Sequence, residues 1–260
     1  MIFETHAHYD DIAFNEDRDE LLRSLPDNGI EYVVNVGASM ESSRNSVELA
    51  SKYDFIYAAV GVHPSDTAGL TENDMEWLKN EALYNKKVVA IGEIGLDYYW
   101  DEPEKDVQRI WFERQLELAR QVKLPVIIHS RDAAKKTLDI LKDHSAKELG
   151  GVVHCYSYSK ETAREYLDMG FYFGIGGVVT FKNAKQVKEA VEYIPLDRIL
   201  LETDCPYLSP EPNRGKRNSS LNIPYIANAI AQLKGVEYDE LVRITSENAK
   251  RMYFREDKSE

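Results

Sequence analysis

Eight short apolar segments, each followed by a helical pattern, limit the folds open to this chain of 260 residues. Runs of β-branched residues alternate with stretches of helical periodicity along the sequence. Such alternation predicts parallel strands joined by helical crossovers. The expected strands are Ile2–His6, Tyr32–Val36, Ile56–Val62, Val88–Ile91, Val126–His129, Val152–His154, Phe171–Gly174 and Ile199–Glu202.

The segment after Glu104 shows the helical period most clearly. An apolar stripe recurs along it, and Pro125 ends the pattern before the next strand. The stripe consists of Val107, Ile110, Trp111, Gln115, Leu118, Ala119 and Val122. The expected helices are Ser42–Lys52, Glu104–Lys123, Ala133–Lys142, Lys160–Met169, Ala184–Tyr193, Tyr225–Leu233 and Tyr238–Met252.

Eight strand–helix units in this length fit a closed (β/α)8 TIM barrel better than an open sheet. An open doubly wound sheet more often carries a glycine-rich turn after its first strand, whereas here that strand leads into His6-Ala7-His8. The chain contains no Gly/Ser-rich or Pro-rich linker. We therefore expect residues 1–260 to form a single α/β domain.

Histidines cluster at the expected strand ends, where barrels of this type carry their chemistry. Five of the six histidines lie there. His6 and His8 are two residues apart, so both imidazoles point to one side of the first strand. Buried imidazoles and carboxylates would repel and lose solvation without a cation. The expected metal ligands are His6, His8, Glu93, His129, His154 and Asp204.

Six ligands exceed the roughly three that one catalytic zinc uses. Two ions bridged by one carboxylate would use all six. Glu93 is the expected bridge, because Gly92 and Gly95 beside it leave room for close approach. Mixed imidazole and carboxylate ligation suits Zn²⁺, Mn²⁺, Fe or Co, and a carboxylate-rich, hydrated site also admits Mg²⁺. We therefore expect two divalent cations, which would be Mg²⁺, Mn²⁺ or Zn²⁺.

Three further residues are candidates for catalysis. Asp204 is expected to bind metal and to accept a proton from water. Glu202 shares its strand face but lies deeper, and either a direct catalytic role or a structural hydrogen bond fits it. His63 is expected to contact substrate or to protonate a leaving group, and a structural role is the alternative.

Candidate substrate contacts are cationic. Arg131 shares a strand face with His129, so it would pair either with a substrate anion or with a carboxylate at the barrel rim. A basic run follows the last expected strand, near the usual phosphate site of such barrels. Its cations are Arg214, Lys216 and Arg217.

The net charge of −13 argues against nonspecific binding to a polyanion and otherwise favours solubility. Two cysteines do not make a disulfide framework, and no apolar run approaches the ~20 residues that a membrane span needs. No secretion signal is evident at the start of the sequence. We therefore expect a cytoplasmic monomer without membrane contacts.

Seven segments together resemble the TatD family of metal-dependent deoxyribonucleases, within the amidohydrolase-like barrel superfamily. Gly-Glu-Ile-Gly-Leu-Asp-Tyr combined with Glu-Thr-Asp-x-Pro-Tyr-Leu is the most specific part of the resemblance. The segments run from residue 5 to residue 218. They are Thr5–His8, Gly61–Pro64, Gly92–Tyr98, His129–Arg131, His154–Ser157, Glu202–Leu208 and Arg214–Asn218.

The resemblance implies a barrel that binds two divalent cations and cleaves DNA from the 3′ end, with RNA as a further substrate. Single-stranded DNA or 3′ ends would be the partner. One ion would be held by His6, His8, Glu93 and Asp204, and the other by Glu93, His129 and His154. His63 and Arg131 would face the substrate.

The sequence departs from the family pattern at two positions. Glu4 stands where the family commonly has Asp, and Tyr158 stands where Gly often follows the His-Cys-aromatic-Ser motif. The alternative function is that of a small-molecule amidohydrolase or esterase, including hydrolysis of aminoacyl-tRNA esters. Related lactonases and amidases often bridge their metals with a carboxylated lysine, a place that Glu93 takes here. A non-enzymatic scaffold would not need the ligand set.

Overall fold

Eight parallel strands form one sheet in the computed structural model, which describes residues 1–100 and 102–254. Each strand pairs with the next along the chain, and the sheet curls into a nearly closed barrel, which confirms the expected fold class. The strands are β1 (Ile2–Ala7), β2 (Ile30–Val36), β3 (Ile56–Val60), β4 (Val88–Asp97), β5 (Val126–Arg131), β6 (Gly151–Val153), β7 (Tyr172–Ile175) and β8 (Ile199–Leu201).

The first and last strands meet where the ring closes. Ala7 forms a parallel bridge with Cys205, the His8 N–H donates to the Cys205 carbonyl at 2.9 Å, and the Asp204 N–H donates to the His6 carbonyl at 3.0 Å. The Thr5 hydroxyl also donates to the Leu201 carbonyl at 2.9 Å. These bonds place the polar end of β1 directly beside the segment that follows β8.

Nine helices surround the strands in the described part of the chain, and none of them is long and apolar enough to cross a membrane. The helices are α1 (Arg18–Ser24), α2 (Met40–Lys52), α3 (Glu72–Tyr84), α4 (Lys105–Val122), α5 (Ala134–Asp143), α6 (Lys160–Asp168), α7 (Lys185–Tyr193), α8 (Ile223–Lys234) and α9 (Tyr238–Tyr253).

An apolar cluster drawn from every strand fills the end of the barrel opposite the histidines. Met252 and Tyr253 of α9 pack into it. Burying each large side chain of this kind stabilises the fold by about 1.5–3 kcal/mol. Clusters of histidines and carboxylates lie at the other end of the barrel, at the carboxyl ends of the strands. The strand members are Phe3, Val34, Val36, Ala59, Val89, Ala90, Ile127, Val152, Tyr172 and Leu200.

The buried stripe of α4 agrees in part with the predicted one, because Gln115, Leu118 and Ala119 are buried as expected. Ile110 is 45% exposed, whereas Gln108 and Gln115 are buried. Both glutamines satisfy backbone groups at strand ends, so burying them leaves their amides paired. The buried residues of the helix are Gln108, Phe112, Gln115, Leu116, Leu118 and Ala119.

Several element boundaries also differ from expectation. β4 continues to Asp97 instead of ending at Ile91, and β5 continues to Arg131. α1 and α3 were not expected, since only Leu22 and Leu78 of these helices are buried. Both helices dock through few apolar residues, which leaves a weak periodic signal in the sequence.

Candidate metal centre

The expected ligands converge at one end of the barrel, where the ends of five strands deliver them. His6 lies in β1 and His8 just beyond it. His129 lies in β5, while His154 directly follows β6. Glu93 and Asp97 both lie in β4, and Glu202 and Asp204 follow β8. Parallel strands bring these residues together although they are spread over most of the sequence.

Glu93 lies at the centre of the cluster and is 3% exposed. Its Oε1 lies 2.7 Å from His129 Nδ1 and 2.8 Å from His154 Nε2. Its Oε2 lies 3.4 Å from His6 Nε2 and 3.8 Å from His8 Nε2. Each carboxylate oxygen therefore faces a separate pair of imidazoles, which is the arrangement that a bridging carboxylate requires.

Asp204 completes the set around Glu93 Oε2. Its Oδ1 lies 3.4 Å from His8 Nε2 and 3.7 Å from His6 Nε2. The two histidine Nε2 atoms are 3.1 Å apart. His8 Nδ1–H donates to the Val36 carbonyl at 2.8 Å, so a neutral His8 carries its proton on Nδ1. The Nε2 lone pair of His8 is then free for a cation.

Asp97 favours the tautomer of His129 that would leave Nδ1 free for a cation. Its Nε2 lies 3.1 Å from Asp97 Oδ2, and an ionised carboxylate only accepts hydrogen bonds. With a cation beside Glu93 Oε1, the proton of neutral His129 would be on Nε2 and the Nδ1 lone pair would point at that cation. Two lone pairs at 2.7 Å repel each other unless a proton or a cation lies beside them.

The spacing of the donor atoms fits a small divalent cation. Two ligands at about 2.1 Å in tetrahedral geometry lie about 3.4 Å apart. The closely placed groups include His6, His8 and Glu93 on one side and Glu93, His129 and His154 on the other. Burial alone raises the pKa of Glu93, but His154, His129 and His6 outweigh it and hold that pKa well below its usual range. Glu93 is therefore an ionised candidate ligand.

Glu202 lies beneath the cluster. Its Oε1 accepts from the Cys155 N–H at 2.5 Å and lies 3.7 Å from His154 Nδ1. Its Oε2 has no hydrogen-bond partner among the described residues, and neither does His154 Nδ1. Glu202 is 1% exposed, so a direct encounter with a large substrate is blocked. The geometry favours a role in orienting His154.

His63 lies at the edge of the cluster. Its Nε2 is 3.8 Å from Glu93 Oε1, and its ring packs edge-on against His129 with centroids 4.2 Å apart. Burial, followed by His129, lowers the pKa of His63 to about 3. The Ser65 N–H donates to its Nδ1 at 3.2 Å, so neutral His63 presents Nε2–H to the site. Near neutral pH the His63 ring is therefore uncharged. It can donate a hydrogen bond through Nε2–H, but it carries no extra proton for a leaving group.

The expected cationic contacts are spread more widely. The Arg131 guanidinium stacks 3.9 Å from the Tyr99 ring centroid. Arg214 lies 4.3 Å from the centroid of Phe181, and Lys216 is exposed on the same loop. The structure does not bring Arg217 to the metal cluster. Its guanidinium donates two hydrogen bonds to the Asp17 carboxylate, at 2.7 and 2.5 Å, which hold the loop against the start of α1.

Sequence reasoning missed Asp97, whose Oδ2 lies 3.1 Å from His129 Nε2. Asp97 is four residues after Glu93, and the alternation of a strand places both on one face. Extending β4 through its glycines would have revealed it. Gly95 is needed there because a Cβ would collide with the His129 carbonyl oxygen, and its φ of +151° is rarely open to other residues.

The structure also accounts for the two departures from the family pattern. Glu4 is fully buried and accepts hydrogen bonds from β1 and from the segment after β8. The Tyr158 hydroxyl lies 3.1 Å from Ser130 Oγ and accepts from the Ala133 N–H at 3.3 Å. Tyr158 therefore supports the loop after β5, which carries Arg131.

Comparison with known proteins agrees with this geometry. The model of the TatD-related DNase family matches residues 3–254. The uncharacterized metal-dependent hydrolase YabD of Bacillus subtilis is 47% identical over 253 residues, covering 97% of this chain and 99% of that protein. The uncharacterized metal-dependent hydrolase YcfH of Escherichia coli K12 is 36% identical, with 97% and 96% covered.

A solved structure gives the same result. The crystal structure of YjjV, a TatD homologue from Escherichia coli K12, superposes with a TM-score of 0.92 at 29% identity, covering 98% of both chains. The family model and the two relatives each span nearly the whole chain. This protein therefore belongs to the TatD family of metal-dependent hydrolases.

Proposed function

We propose that this protein is a deoxyribonuclease that removes nucleotides from the 3′ end of DNA by hydrolysis assisted by two divalent cations. The observation that carries the proposal is the placement of Glu93, whose two carboxylate oxygens each face a separate pair of imidazoles. Family membership adds support, because the matching family model is described as TatD-related DNase.

The residues divide into two sets. His6, His8, Glu93 and Asp204 would hold one cation, and Glu93, His129 and His154 would hold the other. Bound Mg²⁺, Mn²⁺ or Zn²⁺ lowers the pKa of water and neutralises charge on the phosphate. The two sets share Glu93, so losing that carboxylate should impair both.

Asp204 is the proposed proton acceptor. It is the most outward of the carboxylates described here, with a side chain 15% exposed against 4% for Glu93 and 1% for Glu202. Burial raises the pKa of Asp204, but His8, His154 and His6 outweigh it and lower that pKa, so the group is ionised. An ionised, partly accessible carboxylate can take a proton from attacking water.

The remaining residues position the substrate. His63 Nε2–H would donate to a phosphate oxygen, and Glu202 would orient His154. Arg131, Arg214 and Lys216 would contact phosphates, while Arg217 would fix their loop through Asp17. A single strand end reaching a barrel mouth needs no extended basic groove, which reconciles a nuclease with a net charge of −13.

The test uses single-stranded DNA labelled at its 5′ end, incubated with metal-stripped protein and added Mg²⁺, Mn²⁺ or Zn²⁺. We expect a ladder of shortened labelled products that requires both metal and His129, with His129→Ala as the control. Asp204→Asn should bind DNA but cleave it at least ~100-fold more slowly. Absence of cleavage by metal-loaded protein would contradict the proposal and favour a small-molecule or aminoacyl-ester hydrolase.

A further inference from the structure

Two large aromatic side chains lie exposed at the end of the barrel that carries the metal centre. Tyr99 is 55% exposed and Trp100 is 57% exposed. They lie two and three residues after the end of β4, and their rings meet edge to face with centroids 4.8 Å apart and planes at 85°. Covering exposed aromatic surface of this kind with a flat apolar group is favourable, because it removes that surface from water.

The position of this pair is fixed by the carboxylate that also orients a candidate metal ligand. Asp97 Oδ1 accepts from the Tyr99 N–H at 3.0 Å and from the Trp100 N–H at 3.3 Å. Its Oδ2 lies 3.1 Å from His129 Nε2. Gln108 holds the Asp97 backbone through two hydrogen bonds of 2.9 Å. One rigid turn therefore connects the aromatic pair to the metal centre.

The positively charged side chain of Arg131 lies beside the aromatic pair. Arg131 is the last residue of β5, two residues after His129. Its guanidinium carbon lies 3.9 Å from the centroid of the Tyr99 ring. Arginine and aromatic rings together form the surface on which single-stranded nucleic acids stack their bases. A charged aromatic platform next to a phosphodiester site suits a nucleic acid, because its chain carries a flat base beside each phosphodiester.

We propose that Tyr99, Trp100 and Arg131 form a stacking platform for the base next to the scissile phosphodiester of a single-stranded nucleic acid. The proposal rests on the nuclease function proposed above and extends it to substrate recognition. Stacking depends weakly on base identity, so the platform would accept any base while requiring that one be present. The bases of a duplex end would have to unpair to reach it.

Tryptophan fluorescence reports on this platform directly. The chain has three tryptophans, and Trp77 and Trp111 each have an arginine over the ring, at 5.0 and 4.6 Å. Trp100 is the exposed one. A stacked base should quench its emission, and Trp100→Phe should abolish that quenching while keeping an aromatic surface.

The binding test uses a nuclease-resistant phosphorothioate oligonucleotide, with either normal bases or two abasic sugars at its 3′ end, added to metal-loaded protein. Trp100→Ala should weaken binding of the normal oligonucleotide about tenfold or more. Abasic sugars should weaken wild-type binding similarly but add little in Trp100→Ala, because both changes remove one contact. Tyr84→Ala, an 80%-exposed tyrosine at the end of α3, is the matched control and should change nothing.

Cleavage measured in parallel separates the possible failures. Wild-type protein that cleaves DNA but binds normal and abasic oligonucleotides equally, with Trp100→Ala unchanged, would overturn the platform and leave the nuclease intact. Binding that depends on Trp100 without any cleavage would support the platform and overturn the nuclease. Protein that neither binds nor cleaves would overturn both. Equal metal content in all variants verifies that they are folded.

Discussion

At the scale of single residues, the buried carboxyl group of Glu4 supports the metal centre without being one of its candidate ligands. Glu4 Oε1 accepts from the backbone N–H of His6 at 3.2 Å and of Thr203 at 2.9 Å. Its Oε2 accepts from the hydroxyls of Thr203 at 2.7 Å and Ser220 at 2.9 Å. Burial raises the pKa of Glu4 to about 8, although the four hydrogen bonds from His6, Thr203 and Ser220 lower it. The network fixes β1 against the segment that carries Asp204.

Replacing Glu4 with Gln should therefore destabilise the protein. The amide nitrogen of Gln would face donors and accept nothing, which leaves a buried group unpaired at a cost of about 1–3 kcal/mol. Urea unfolding followed by circular dichroism measures the change. Glu16→Gln, at an exposed position, is the control. Identical unfolding midpoints for Glu4→Gln and wild type would contradict this account of the network.

Asp97→Asn tests whether the tautomer of His129 matters. Asn keeps an oxygen for the Tyr99 and Trp100 amides, but its NH₂ would donate to His129 Nε2 and move the ring proton to Nδ1. The lone pair beside Glu93 would then be lost. We expect metal affinity at the His129 side to fall about 10- to 100-fold, as for other residues that orient metal-binding histidines. Calorimetric titration with Mn²⁺ measures it, and unchanged affinity would refute the assignment.

At the scale of elements, α4 links two strand ends through two buried glutamines on one face. Gln108 pairs with the backbone N–H and carbonyl of Asp97, and Gln115 pairs with those of Val62 at 2.8 and 3.1 Å. Seven residues separate them, about two helical turns. The helix therefore sets the positions of both Asp97 and the segment leading to His63.

Gln108→Met and Gln115→Met should each destabilise the protein by about 1–3 kcal/mol, because each leaves a buried backbone N–H and carbonyl unpaired. Methionine keeps a similar volume, so packing changes little. Thermal unfolding measures the loss, and Gln121→Met, exposed on the same helix, is the control. A variant as stable as the control would show that water replaces the amide without cost.

The extent to which these elements were predictable follows from how each one is buried. Strands such as β2 and β5 are β-branched and apolar, so the sequence predicts them directly. β4 was predicted too short because Gly92 and Gly95 lower its strand propensity, although close approach to neighbouring strands requires them. α3 was missed because Leu78 is its only buried residue. The stripe of α4 was predicted only in part: Gln115, Leu118 and Ala119 are buried as expected, whereas the polar Gln108 was left out although it is buried.

At the scale of the whole molecule, the convergence of the candidate ligands was predictable and their supporting contacts were not. His6, His8, Glu93, His129, His154 and Asp204 converge because their strand ends share one rim, which the strand pattern already indicates. Glu4, Asp97 and the pairing of Arg217 with Asp17 depend on three-dimensional neighbours that no local pattern reveals. Whether residues 1–260 act as one monomeric domain stays a prediction.

Divalent cations should stabilise the whole fold, because they bind ligands from both sides of the barrel closure. A ligand present at 100 times its Kd stabilises the native state by about 2.7 kcal/mol per site. For a chain of this size that raises Tm by roughly 5–10 °C. Differential scanning calorimetry with excess Zn²⁺ or Mn²⁺ against EDTA measures the shift. Glu93→Ala, which lacks the shared carboxylate, should show most of it lost.

The central claim is that Glu93 joins two cation sites, and counting bound metal tests it most directly. Metal-stripped protein is dialysed against Zn²⁺ or Mn²⁺ at concentrations above the Kd, and bound metal per chain is measured by elemental analysis. We expect two cations per wild-type chain and one or none in Glu93→Ala, with two retained in Glu16→Ala. A single cation in wild type, or two cations retained in Glu93→Ala, would contradict the account.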